Sequence, residues 1–295
     1  MSARGFCMGA ADVVPGVSGG TMAFILGIYE ELVKAIRSFD MDFIKLLLSL
    51  RIKDAFERVS YKFLLSLGIG ILVAIFSLAR ILTWLLENQP VMIWSFFLGL
   101  ILASTFIVSR YLEHWGLSVF ICMMAGIVAS YVLVGTVPVS TPESPWFLVL
   151  SGAVAICAMI LPGISGSYIL VLFGKYYYVL EAVNKRDFFT LFLVAAGACF
   201  GLLAFSRLLN WLLHRHHDLT IAVLAGLMLG SLRKIWPWKE AVKTAYDVNG
   251  EKIMLPPANM FPSHLDNELF MALFLMALGF IIVFALGYYS KNNNG

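Results

Sequence analysis

Six stretches of this chain stay apolar for about 20 residues, the length a helix needs to cross a bilayer. They are residues 63–86, 91–109, 117–137, 191–213, 219–235 and 269–289. Two further apolar stretches, 3–36 and 146–183, are broken near their middles. The first is broken by Pro15-Gly16-Val17-Ser18-Gly19-Gly20, the second by Pro162-Gly163-Ile164-Ser165-Gly166-Ser167. Their arms are short for full crossings and suit a re-entrant hairpin or a broken helix. No soluble fold buries this pattern: 60% of the 295 residues are hydrophobic, 13% are charged, and the mean hydropathy is +0.87. A soluble domain has about 45–50% apolar and about 25% charged residues. The expected fold class is therefore an all-α polytopic membrane protein. A disordered chain, a secreted disulfide scaffold and a nucleic-acid binder are excluded, and a net charge of +3 does not point to a polyanionic partner. Cys7, Cys122, Cys157 and Cys199 stand singly, without metal or redox spacing, so no cofactor or metal is expected.

The two broken stretches are copies. Val14-Pro-Gly-Val-Ser-Gly-Gly matches Leu161-Pro-Gly-Ile-Ser-Gly-Ser at an offset of 147, and the match continues through Gly27/Gly174, Tyr29/Tyr176 and Ala35/Ala182. Arg80-Ile-Leu-Thr-Trp84-Leu-Leu matches Arg207-Leu-Leu-Asn-Trp211-Leu-Leu at an offset of 127, with Gly70/Gly197 and Gly99/Gly226 in register. The change of offset places an insertion at about 37–62 of the first half. The chain divides into repeats 1–145 and 146–295, together one transmembrane domain. Each repeat holds one broken hairpin and three spans, an odd number of crossings, so the repeats insert in opposite orientations. Inverted repeats with broken helices are the build of secondary transporters.

Lys and Arg number eleven on the side of the N-terminus and eight on the other. The positive-inside bias places both termini in the cytoplasm. The insertion then lies on the cytoplasmic face, where Phe43-Ile44-Lys45-Leu46-Leu47-Leu48 has the pattern of an interfacial helix.

Pro15, Gly16, Pro162 and Gly163 break the helices. Backbone freed inside a bilayer occurs where protein or a wet cavity satisfies it. The restarted helices offer N–H groups, small hydroxyls and a favourable dipole to an anion. The expected phosphate-binding residues are Ser18, Gly19, Gly20, Thr21, Ser165, Gly166 and Ser167, with Arg80 and Arg207 as guanidinium donors. The competing reading makes the serines plain helix caps and the arginines snorkelling groups. Asp12, whose repeat mate is Met159, and Glu30 are the candidates to couple a proton or sodium ion. No P-loop or hydrolase motif stands in a plausible setting, so catalytic residues are not expected.

Gly9-Ala10-Ala11-Asp12-Val13-Val14-Pro15-Gly16-Val17-Ser18-Gly19-Gly20-Thr21 with Gly27-Ile28-Tyr29-Glu30, and Leu161-Pro162-Gly163-Ile164-Ser165-Gly166-Ser167 with Gly174-Lys175-Tyr176, resemble the bacterial polyprenyl-phosphate transporter family over nearly the whole chain. The resemblance implies an inner-membrane flippase. Such a protein returns undecaprenyl phosphate from the outer to the cytoplasmic leaflet for reuse in cell-envelope synthesis. The rival readings are a carrier of a small soluble anion and an integral-membrane lipid phosphatase.

Overall fold

A membrane-spanning segment must satisfy its own backbone N–H and C=O groups, which leaves these apolar stretches the helix. The computed structural model describes residues 1–12, 19–39, 41–139, 141–240, 244–246, 252–254, 258–262 and 266–293. The first half holds α1 (Ser2–Asp12), α2 (Gly19–Ile25), α3 (Tyr29–Arg37), α4 (Met41–Leu48), α5 (Ile52–Arg58), α6 (Tyr61–Asn88), α7 (Pro90–Ser109) and α8 (Leu117–Val134). The second holds α9 (Pro145–Ile160), α10 (Gly166–Leu172), α11 (Tyr176–Lys185), α12 (Phe188–Arg215), α13 (His217–Ile235) and α14 (Asn267–Asn293). Between α13 and α14, β1 (Thr244–Tyr246) and β2 (Lys252–Met254) form a small antiparallel hairpin. These two strands fall outside the all-helical expectation and lie in the long loop; every other regular element among the described residues is a helix.

Among the described residues, five helices are long and apolar enough to cross a membrane: α6, α7, α8, α12 and α14. The sixth expected span, α13, carries His217, Asp218, Arg233 and Lys234 at its ends and is largely buried among its neighbours. Local chemistry sets the boundaries. Pro90 and Pro145 open α7 and α9, where a missing N–H costs nothing. The Asp187 carboxylate caps α12 by accepting from the Phe189 and Thr190 N–H groups, each at 3.2 Å. In the insertion, α4 and α5 pack together, and Asp42 pairs with Lys45 and Arg58 at 3.3 Å each.

The order of elements occurs twice, α4 and α5 aside, and so does the packing. α1 packs along α6 as α9 does along α12. Gly27 and Gly174, which are repeat mates, turn the chain with φ of 65° and 64°, a conformation glycine adopts without strain. The halves interlock by exchange: α7 packs on α14, and α13 on α8. Gly99 lies against the Met276 carbonyl and its mate Gly226 against that of Met123. Gly126 lies against Val223 and Gly279 against Phe96, again as mates. A contact that recurs with the partners swapped is the mark of a two-fold relation. Along α8 and α13, Met123 meets Gly226, Ile127 meets Gly230 and Tyr131 meets Arg233, so these two helices run parallel.

These close approaches carry a prediction. A branched side chain at Gly99 or Gly226 drives into the facing backbone, which cannot rotate away. Overpacking of this kind costs about 1–3 kcal/mol or more. Gly99→Val and Gly226→Val should each lower the thermal midpoint in detergent, and by similar amounts. A loss at one site alone would break the equivalence of the two interfaces.

Candidate functional site

The two turns present different chemistry. Pro15, Gly16 and Ser18 lie outside the described residues, so the first turn is seen through its flanks. There, the Gly19 N–H donates to Asp12 Oδ1 at 2.7 Å, so a carboxylate from the end of α1 holds the start of α2. A Cβ at Gly19 would meet that carboxylate at 2.6–2.9 Å, so glycine lets the two arms close. Gly20 and Thr21 are buried, and Thr21 Oγ1 has no hydrogen-bond partner among the described residues.

The second turn has no such carboxylate, since Met159 replaces Asp12. Pro162 and Gly163 are buried. Gly163, with φ of 87°, lies so close to α13 that a Cβ there would meet Met228 Cα at 3.0 Å and Ser231 Oγ at 3.1 Å. Gly166 is likewise closed in: a Cβ would meet the Ala155 carbonyl at 2.5 Å and Met159 Cβ at 3.3 Å. Its role is to fold α10 back on α9. Ser165 is the N-cap of α10 but makes no side-chain cap bond; its hydroxyl lies 2.7 Å from that of Ser167, which is exposed. α2 and α10 have seven residues each, so a helix dipole contributes less here than the sequence reading assumed.

A cationic and aromatic cluster stands beside α10. Lys234 Nζ lies 3.9 Å from the centroid of the Tyr168 ring, one turn beyond Ser165. Lys239 Nζ lies 5.0 Å from the Trp94 ring of α7 and donates to the Lys234 carbonyl. The Tyr168 hydroxyl is tied to the Val134 carbonyl at 2.9 Å, which fixes the ring under the ammonium. Among the described residues no carboxylate pairs with either lysine. Burial without a counter-charge pushes Lys239 below the usual lysine value. An unpaired cation of this kind is costly unless an anion arrives. Both lysines entered the sequence analysis only among the eight Lys and Arg of one side. The available signal was their place on either side of Trp236-Pro237-Trp238, at the end of a span.

Among the described residues no hydrogen bond or ion pair joins Arg80 or Arg207 to a turn. α6 has 28 residues, about 42 Å at 1.5 Å per residue, against a hydrocarbon core of about 30 Å. Its most apolar part is Tyr61–Leu78, so Arg80 falls beyond it, toward a membrane surface, and is exposed. Arg207 is also exposed and lines an open cleft of 500 Å³ with Arg37, Asn210, Trp211 and His214. Trp84 and Trp211, one turn on, are 57% and 55% exposed, as interfacial anchors are. Glu30 forms an exposed ion pair with Lys34 at 3.7 Å.

One repeat contact is present on one side only. Tyr29 is 2% exposed, stacks on Phe24 at 3.7 Å and donates its hydroxyl to the Ile160 carbonyl of the second turn at 3.3 Å. Its mate Tyr176 is 37% exposed, with the Tyr177 ring edge-on at 5.6 Å. The arm α3 packs across onto α12 of the other half, whereas α11 packs on α10 and α12 of its own.

The family model of undecaprenyl phosphate translocase-like proteins matches residues 8–253 of this chain. The chain belongs to that family. The match spans both turns and the Lys234–Lys239 cluster. A Vibrio cholerae protein named polyprenyl-phosphate transporter is 41% identical over 294 residues, covering 98% of this chain and 96% of its own. A Staphylococcus aureus protein of the same name is 29% identical over 256 residues, covering 79% and 84%. No solved structure matches the chain. Family and apolar helices together make this a multi-pass membrane protein.

Proposed function

We propose that this protein is a flippase for polyprenyl phosphate, undecaprenyl phosphate in the bacterial inner membrane, moving it from the outer to the cytoplasmic leaflet for reuse of the carrier lipid. The observation that carries the reading is the second turn: two hydroxyls, Ser165 and Ser167, beside Tyr168, whose ring carries a lysine that has no carboxylate partner among the described residues. A phosphate monoester headgroup supplies the missing anion, and the relatives named polyprenyl-phosphate transporters point to the same headgroup. The first turn, with Ser18 to Thr21, carries its own carboxylate in Asp12 and serves as the closed counterpart. Arg80 and Arg207 act near the membrane surfaces, where Arg207 and Arg37 attract an anion to one cleft.

The two halves are read as inverted across the membrane, with both termini cytoplasmic. α7 and α8 are joined by a short connection and so cross in opposite senses; α13 runs with α8, and therefore against its own mate α7. Docking of Tyr29 with exposure of Tyr176 then describes a site closed to one leaflet and open to the other. Alternating the two exposes the headgroup to each leaflet in turn while the tail stays in lipid.

The deciding experiment is movement of polyprenyl phosphate between leaflets of proteoliposomes holding the purified protein. No movement, or phosphate release from the lipid, would overturn the reading. The driving gradient is assigned to protons or sodium acting at Asp12. Asp12→Asn keeps an acceptor for the Gly19 N–H but cannot change charge. It should stay folded and move lipid at the gradient-free rate whether or not a gradient is applied. Asp12→Ala also loses the cap, worth about 0.5–2 kcal/mol. Full gradient dependence in Asp12→Asn would confine this carboxylate to capping.

A further inference from the structure

Arg110 and Arg233 occupy matching places that the functional reading does not use. Arg110 follows the last residue of α7, and its guanidinium carbon lies 4.6 Å from the Phe106 ring and 5.3 Å from the Phe284 ring of α14. Arg233 is in the last turn of α13, the mate of α7, and lies 4.4 Å from the Tyr131 ring of α8. Tyr131 and Phe284 are themselves mates, in the same register that pairs Met123 with Met276. The arginines are one helical turn apart in the alignment, yet each reaches the equivalent ring. The same platform, an aromatic ring from one half under an arginine from the other, therefore occurs once at each end of the α7, α8, α13, α14 unit. Neither arginine has a carboxylate partner among the described residues.

Arg110 also closes an apolar groove of 790 Å³ whose walls include Leu102, Phe106, Trp115, Met123 and Leu229. Leu102 and Leu229 are mates, so the groove begins where the two halves meet. At the other end, Arg233 donates to the Tyr131 carbonyl at 3.0 Å and stands next in sequence to Lys234.

We infer that Arg110 and Arg233 are paired receiving stations for a phosphate monoester headgroup, one at each leaflet, with the apolar groove beside Arg110 taking the start of the lipid tail. The inference rests on the transport reading and on the inversion of the halves. A guanidinium over an aromatic ring still has edge N–H groups to give in two-point contact with phosphate; Arg233 spends one donor on the Tyr131 carbonyl and has others left. The cation cluster is larger at the Arg233 end, where Lys234 and Lys239 adjoin, which fits capture there and release at Arg110.

The test uses the full chain in proteoliposomes sorted for one orientation, with a short-chain fluorescent polyprenyl monophosphate offered from one leaflet at a time. Arg233→Gln should raise the half-saturating lipid concentration by about tenfold for entry at the α13 end and leave entry at the other end unchanged. Arg110→Gln should do the reverse. Tyr131→Leu and Phe284→Leu keep both charges but remove the ring, and should show the same sidedness at about two- to fivefold. Equal effects on both directions, or none, in variants with wild-type thermal midpoints would overturn the proposal. So would competition by inorganic phosphate at concentrations matching the lipid, which would assign the stations to a soluble anion. A wild-type protein that moves no lipid phosphate would instead refute the transport reading itself.

Discussion

Lys234→Met is expected to bind lipid phosphate about 10- to 150-fold more weakly while the protein becomes no less stable. The two halves of this result have separate causes. A hydrogen bond to a charged group is worth about 1.5–3 kcal/mol, and the Lys234 ammonium stands over the ring of Tyr168, the residue next to Ser167. Removing it takes that term from the bound state. In the empty state the same ammonium is a half-buried charge with no carboxylate partner among the described residues, and replacing such a charge by an apolar side chain of similar shape is often neutral or stabilising. Binding and stability therefore move in opposite directions, which a structural lysine would not do. Lys239→Met should behave alike but more mildly, since Lys239 reaches the site through the Lys234 carbonyl and the Trp94 ring. The check is affinity for a soluble-chain polyprenyl phosphate in detergent, measured beside the thermal midpoint. A fall in midpoint with unchanged affinity would return both lysines to a packing role.

The parts of the fold written as local pattern were legible beforehand. Apolar runs became helices, and the arms that flank each Pro-Gly break pack together. The matched pairs Gly27/Gly174 and Gly99/Gly226 took matched positions because each answers a local demand, a left-handed turn or a close helix approach. The site was legible only in part. Ser165 was found as the N-cap of the restarted helix. Arg80 and Arg207 were selected as matched charges inside predicted spans and as guanidinium donors, but no sequence rule says which face of a 28-residue helix turns outward. Lys234 was passed over because its setting is assembled from α7, α10 and α13, three elements far apart in the chain. The asymmetry of Asp12 against Met159 was visible in the sequence; that Asp12 holds the start of α2 needed the bond to Gly19. The β1–β2 hairpin left too short a pattern to read among polar loop residues.

The exposed tyrosine should matter as much as the buried one. Tyr29 anchors α3 to the second turn, and truncating a buried aromatic costs about 3–5 kcal/mol, so Tyr29→Ala should depopulate the present state and cut transport by at least about 100-fold. Tyr176 has no comparable contact here. In a protein with one conformation, Tyr176→Ala would be an ordinary surface change, worth less than about 0.5 kcal/mol. If the halves exchange conformations, Tyr176 docks in the second state as Tyr29 docks in the first. Tyr176→Ala then removes the same energy from that state, and transport falls to the same extent with no loss of thermal stability. Labelling gives an independent check. Tyr176→Cys should react quickly and Tyr29→Cys slowly with a membrane-permeant thiol reagent, in a background where Cys7, Cys122, Cys157 and Cys199 are replaced. Conditions that populate the second state should reverse the order. Wild-type transport by Tyr176→Ala would mean that the difference between Tyr29 and Tyr176 is fixed, and that the lipid crosses without an exchange of the two arms.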